Sequence, residues 1–230
     1  MTHSFDKKYW NEIWDGDRAS AMAAGEPNPH LVAEIGDLSP GSALEAGCGA
    51  GAEAIWLAAK GWQVTAVDIA ADALTRAADR AIGSGAADRV RWVEADLSTW
   101  HPETRYDLVT THYAHPAMPQ LEFYDRIASW VAPGGTLFVV GHLHLEHDGP
   151  GLGHSDGHGH SDEHGHSDGH GPLDGGPPAS ASATADGIVG LLDPALWQVD
   201  TARETSRTVA RPDGREVPLH DVVVRAVRRP

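Results

Sequence analysis

The sequence has a single cysteine, Cys48, so no internal disulfide framework holds it together. It is poor in positive charge, with 17 Lys and Arg against 33 Asp and Glu and a formal net charge of −16. That balance argues against a nucleic-acid partner, because phosphate-backbone binding draws on Lys and Arg that release counterions. No run of about eighteen apolar residues is present, which speaks against a membrane-spanning helix. The opening "MTHSFDKKYW" lacks the apolar core of a secretory signal. The expectation is a cytoplasmic protein that engages neither membrane nor nucleic acid. What the chain does have is 41% apolar residues and eight Trp, enough for a sizeable core in one domain with appendages.

Periodicity organises most of the 230 residues. "FDKKYWNEIWDGD" sets Phe5, Tyr9, Trp10, Ile13 and Trp14 on one helical face, closed by Gly16. A second short helix is expected over His30–Ile35. Strands then alternate with helices: strands at Ser42–Ala46, Gln63–Val67, Val90–Val93, Tyr106–Thr111 and Thr136–Val140, and helices at Ala52–Lys60, Ala70–Ile82 and Gln120–Val131. The last of these strands is entered through the turn "APGG". Such alternation implies crossover units and a parallel sheet covered on both faces. After "GIVGLLDPALWQV", the runs 198–209 and 222–227 flank the turn signal "RPDGRE" and read as a hairpin on the sheet edge.

Chemistry concentrates in "ALEAGCGAGAEAIWLAAKGWQVTAVDIA". A strand ends at Glu45, Gly47, Gly49 and Gly51 form the turn, and a helix starts at once. Glycines let the backbone turn tightly and approach a ligand without a Cβ in the way. The exposed N–H groups of a helix start favour negative or polar ligand groups. Asp68 closes the next strand, where a carboxylate can accept from both hydroxyls of a ribose. Read as Gly47-x-Gly49-x-x-Ala52, the turn fits a dinucleotide fingerprint and suggests NAD. Read as Glu45-x-Gly47-x-Gly49-x-Gly51, it resembles motif I of the class I methyltransferases that use S-adenosyl-L-methionine (SAM). "EADL" after the third strand and "WVAPGGTLFVV" around the fifth favour the second reading. "YWNEIW" and the helix after the glycines look like the branch containing thiopurine and tellurite-resistance methyltransferases.

The resemblance implies an α/β fold, a Rossmann-like seven-stranded, mostly parallel sheet with helices on both faces and a C-terminal antiparallel hairpin. It implies a transferase moving a methyl group from SAM to a small-molecule acceptor by in-line displacement. Glu45 and the Gly47–Gly51 turn would hold the methionine end of SAM. Asp68 would bind the ribose, Ile69 would pack on the adenine, and Asp96 and Leu97 would meet the adenine amino group. Thr111 would line the gap between sulfonium and acceptor. His112, Tyr113 and His115 in "TTHYAHPAMP" are the catalytic candidates, as base or acceptor contact. That stretch departs from the Asn/Asp-Pro-Pro-Tyr signature of methyltransferases that act on nucleic-acid bases or protein glutamine.

"GHSDGHGHSDEHGHSDGHG", residues 153–171, repeats a six-residue unit three times and carries His154, His158, His160, His164, His166 and His170. Neutral imidazole suits nickel or zinc, but a Gly-rich background fixes no closed geometry, so loose binding is expected, weakening as the imidazoles protonate. The alternative function is a metal-binding store or sensor for nickel or zinc that uses the fold as a scaffold. Residues 1–36 are expected to form a helical lid, 37–141 the SAM-binding core, 142–184 a disordered insertion, and 185–230 a helix and hairpin completing the sheet.

Overall fold

A computed structural model describes residues 5–15, 25–143, 181–210 and 216–230. Its helices are α1 (Lys7–Asp15), α2 (Pro29–Ile35), α3 (Ala52–Ala59), α4 (Ala71–Ser84), α5 (Gln120–Ala128) and α6 (Ala185–Val189). The strands are β1 (Ser42–Ala46), β2 (Gln63–Asp68), β3 (Val90–Glu94), β4 (Tyr106–His112), β5 (Val131–Leu143), β6 (Ser182–Ala183), β7 (Trp197–Ala210) and β8 (Glu216–Arg228). Seven of them lie side by side in the order β3-β2-β1-β4-β5-β8-β7. The first five run parallel, and β8 and β7 are antiparallel additions.

Both faces of this sheet are covered because successive strand residues point opposite ways. Leu137 and Val139 of β5 pack with Phe123, Tyr124 and Ile127 of α5 and Ile188 of α6. Phe138 and Val140 between them pack with Leu31 and Ile35 of α2 and Leu57 of α3. The near-continuous apolar strands are what a doubly covered parallel sheet demands. The α/β, mostly parallel sheet with its C-terminal hairpin is the architecture expected from the sequence.

Two local features differ from expectation. α5 ends at Ala128, and β5 begins at Val131 rather than after "APGG". Tyr106 pairs with Val131, and the ladder resumes only at Leu108 with Thr136. Pro133 lacks an N–H and Gly134 sits at φ +80°, so the turn residues bulge from the strand without ending it. The two-residue β6 was not foreseen, since two residues carry no periodicity. It pairs in parallel with His142 and Leu143, just past the last β4 pairing at Val140.

Candidate active site

The strand order reverses between β1 and β4, where open α/β sheets form a crevice at the carboxyl ends of their strands. A cavity of about 320 Å³ opens there. Its base is the turn from β1 into α3, with Gly47, Gly49 and Gly51 at φ +79°, +49° and +77°. Side chains rarely adopt these values. The space is closed as well: a Cβ on Gly47 would collide with that of Ala114, and one on Gly51 would lie 2.6 Å from the Trp92 ring. The Gly47 and Cys48 N–H groups both donate to Val67 O, at 2.8 and 3.0 Å, which ties the turn to β2.

Acids surround this turn. Asp68 lies on the cavity wall, accepting from Gly49 N at 2.8 Å on one oxygen and from Ala70 N at 2.9 Å on the other. Burial raises its pKa against the pull of these N–H donors. Asp96 also lines the cavity, and one of its oxygens caps the following turn through Ser98 N and Oγ at 2.8 and 2.6 Å. Below them Glu45 is fully buried, with Oε1 2.9 Å from Nδ1 of His112. Burial raises the Glu45 pKa. For His112 burial pulls downward, but the Glu45 charge and hydrogen bond together with the Glu53 charge outweigh it, and the net direction is up. The pair therefore holds a proton more tightly than either group would in water. Glu45 Oε2 and His112 Nε2 have no hydrogen-bond partner among the described residues. Glu53, in the first turn of α3, brings a third ligand-capable atom to within 4.8 Å of theirs, a cluster suited to a cation.

The far wall is made of side chains. Tyr113 sits at φ +54°, unusual for an aromatic residue. Its hydroxyl donates to Asp221 Oδ1 at 2.6 Å, and Arg207 Nε and His30 Nε2 reach the other Asp221 oxygen at 2.8 and 3.1 Å. Burial and this acceptor hold the Tyr113 hydroxyl far above its ordinary pKa, so it remains a donor. His115 stacks on His142 of β5, with ring centroids 5.2 Å apart and planes at 20°. α1 closes the opening: Trp14 is almost fully buried against Gly49, and Trp10 Nε1 donates to His115 O at 3.2 Å.

Residues 43–135 match the family model described as a methyltransferase domain. This stretch is a class I methyltransferase domain. Over 138 residues the chain is 28% identical to probable thiol methyltransferase 2 from Arabidopsis thaliana, covering 57% of this chain and 60% of that protein. Over 149 residues it is 29% identical to thiocyanate methyltransferase 1 from Brassica oleracea, covering 62% and 63%. The chain thus spans 60 to 63% of the length of these curated relatives. Among solved structures, magnesium protoporphyrin IX methyltransferase from Synechocystis PCC 6803 with bound SAM superposes with a TM-score of 0.62. It is 15% identical and covers 99% of this chain and 100% of that chain, a likeness of fold.

Within the methyltransferase domain, Gly47, Gly49, Gly51, Asp68, Ile69, Asp96 and Leu97 all line the one cavity described, as do His112, Tyr113 and His115. Glu45 and Thr111 are placed otherwise. Glu45 lies beneath His112, and Thr111 is fully buried with its hydroxyl donating to Ala46 O at 2.8 Å, off the cavity wall. Both are late residues of strands whose side chains alternate between cavity and core, and the core claims these two. Glu53 and Arg80 were missed. An acid one position into the helix after the glycines was a readable signal for Glu53. Arg80 had none, because it reaches Ala50 O and Gly25 O only through the packing of α4. Cys48, beside two glycines, has its thiol pKa raised by burial and by the Asp68 and Glu45 charges, which suits no nucleophile. His154, His158, His160, His164, His166 and His170, the expected metal ligands, lie outside the described residues. Among those described, no helix is long and apolar enough to cross a membrane.

Proposed function

We propose that this protein transfers a methyl group from SAM to a small, soft acceptor, a thiol or thiocyanate. The observation that carries the reading is the acid-lined glycine cradle: three left-handed glycines, with Asp68 bonded to Gly49 N beside them. The donor set fits the cofactor. SAM carries an ammonium and a sulfonium, and the cavity supplies Glu53 with the buried Glu45–His112 pair and its two unpartnered atoms. The curated relatives named for thiol and thiocyanate methyltransfer support the acceptor class.

When bound, SAM supplies a methyl group made electrophilic by its sulfonium. The protein's part is to hold and align. Asp68 is assigned the ribose hydroxyls, Ile69 and Leu97 the adenine faces, and Asp96 the adenine amino group. Glu53 and the Glu45–His112 pair take the ammonium, with Glu45 acting through His112. Tyr113 and His115 face the acceptor. Trp10 and Trp14 on α1 exclude water over the turn, which strengthens every electrostatic contact beneath. Aligning donor and acceptor can supply most of the rate enhancement of a displacement.

Calorimetric titration of the full chain with S-adenosylhomocysteine tests the reading. Micromolar binding, abolished in both Asp68→Ala and Gly49→Val, is expected. Equal binding in the two variants and the parent would overturn it.

A further inference from the structure

Gln120, the first residue of α5, is buried, and its amide is held from two sides. Its Nε2 donates to Ala114 O at 3.0 Å, and Oε1 lies 3.2 Å from His115 Nδ1. A backbone carbonyl only accepts, so the amide cannot be reversed without placing two oxygens together. An amide oxygen likewise only accepts, so His115 must present Nδ1–H to it. The free lone pair of His115 is then on Nε2.

We propose that His115 Nε2 is the general base for a protonated thiol acceptor, and that Gln120 is the positioning residue that fixes this tautomer. The proposal rests on the methyl-transfer reading and deepens it by naming the acceptor's protonation state and the destination of its proton. Arg80 is the sole Lys or Arg on the cavity wall among the described residues, and both its terminal nitrogens donate to backbone carbonyls. A carboxylate or phosphate on the acceptor would find no guanidinium there. A neutral thiol needs none; its S–H is the proton a base must take, near pKa 8.5 in a cysteine side chain against about 6.5 for an imidazole.

The surroundings suit a base that starts neutral. Phe5 and Trp10 face His115 from the amino-terminal side, Tyr113 lies in its own loop, and His142 stacks from β5. Behind Tyr113, Asp221 of β8 is bonded by Arg207 of β7 and His30 of α2. Burial lowers the His115 pKa against the Gln120 bond. Burial and His115 push His142 down to about 4, so the stacked rings carry no charge at neutral pH. In the transfer, the acceptor sulfur forms a bond to the methyl carbon as the sulfonium carbon–sulfur bond breaks. The electron pair of that bond stays on the cofactor sulfur, and the thiol proton goes to Nε2 of His115. The products are a methyl thioether and S-adenosylhomocysteine, and the imidazolium then returns its proton to water.

Thiocyanate has no proton to lose, so it separates the base from every other role of the wall. The full chain is assayed at saturating SAM with ethanethiol and with potassium thiocyanate. In His115→Gln the ratio of kcat/KM for ethanethiol to that for thiocyanate should fall by about 10²–10⁴-fold, the usual worth of a positioned base. An unchanged ratio overturns the proposal. Nitrogen-15 NMR of the free protein gives a readout apart from turnover. His115 should show the Nδ1–H tautomer, and Gln120→Glu should raise its pKa by offering the ring a carboxylate. An Nε2–H tautomer overturns the proposal even if His115→Gln fails to fold. No turnover of ethanethiol by the parent also overturns it, and retained S-adenosylhomocysteine binding in that case leaves the methyl-transfer reading standing.

Discussion

One wall of the cavity is backbone and the other is side chain. At the turn after β1, the shape comes from three positive-φ glycines, and the Asp68 carboxylate is pinned by the N–H groups of Gly49, in the same βαβ unit, and of Ala70, two residues further on. At the opposite wall, Tyr113 owes its place to Asp221, Arg207 and His30, which arrive from β8, β7 and α2. The first wall is local and rigid. The second depends on elements more than 90 residues apart in the chain. Under the proposed methyl transfer, cofactor binding falls to the wall that changes little and acceptor choice to the wall that can be rebuilt.

The largest effect should come from breaking the backbone wall. Gly47→Val forces a branched side chain into the left-handed region, at about 1–2 kcal/mol, and drives it into Ala114, adding about 1–3 kcal/mol of overpacking. A fall in Tm of about 5–15 °C is expected, with S-adenosylhomocysteine affinity reduced more than about 100-fold. Melting and calorimetry check both. Retained affinity would mean that the turn yields and the wall is not rigid.

Next comes the hub of the other wall. Asp221 is fully buried and takes bonds from Tyr113, Arg207 and His30. Removing one partner of a buried ion pair costs about 3–5 kcal/mol, and the partial exposure of Arg207 places Asp221→Asn at the lower end. The expected outcome is a Tm lower by about 6–12 °C and weaker thiol turnover as Tyr113 leaves its strained φ, with S-adenosylhomocysteine affinity held within about threefold. Loss of cofactor affinity in proportion to stability would merge the two walls into one.

The same contrast explains what could be read from the sequence. Glycines spaced by two, with an acid closing the following strand, describe a single βαβ unit, and each of those residues lines the cavity. Alternating strands and helices likewise yielded the sheet and its terminal hairpin. Tyr113 and His115 were picked out by their place after β4, but nothing in "TTHYAHPAMP" announces that the Tyr113 hydroxyl turns toward Asp221 or that Gln120 fixes the ring of His115. The first contact follows from register across β5 and β8, and the second from how the loop after β4 folds back on the start of α5; periodicity encodes neither. Glu45 and Thr111 show the same limit within strands, because a motif fixes position while alternation and packing decide which side a residue faces.

A smaller effect tests the local wall without deforming it. Asp68→Asn keeps an oxygen for Gly49 N but removes the charge. Hydrogen bonds to a charged group contribute about 1.5–3 kcal/mol, so S-adenosylhomocysteine should bind about 10- to 100-fold more weakly by calorimetry. Stability should move the other way. Burial raises the Asp68 pKa, so its favourable contribution is complete below the unfolded pKa and is lost as pH rises through the folded one. At neutral pH the variant should be no less stable than the parent to urea, and a clear loss would show that the carboxylate props up the turn.

The finest test lies at His112, where the two walls meet. Its folded pKa is raised above the ordinary 6.5, so its pairing with Glu45 stabilises fully below about that pH. The contribution is then lost as pH rises through the elevated folded value. Unfolding free energy of the parent should therefore decline from pH 6 to pH 9 more steeply than that of His112→Gln. The proton the pair retains also gives a signature on binding. An ammonium arriving beside Glu53 and His112 favours loss of that proton, because two cations cannot share one acidic pocket cheaply. Titrations with S-adenosylhomocysteine in buffers of different ionisation enthalpy should report proton release in the parent and none in His112→Gln. A buffer-independent enthalpy in the parent would mean that the ammonium docks elsewhere, leaving the Glu45–His112 pair a part of the core on which both walls rest.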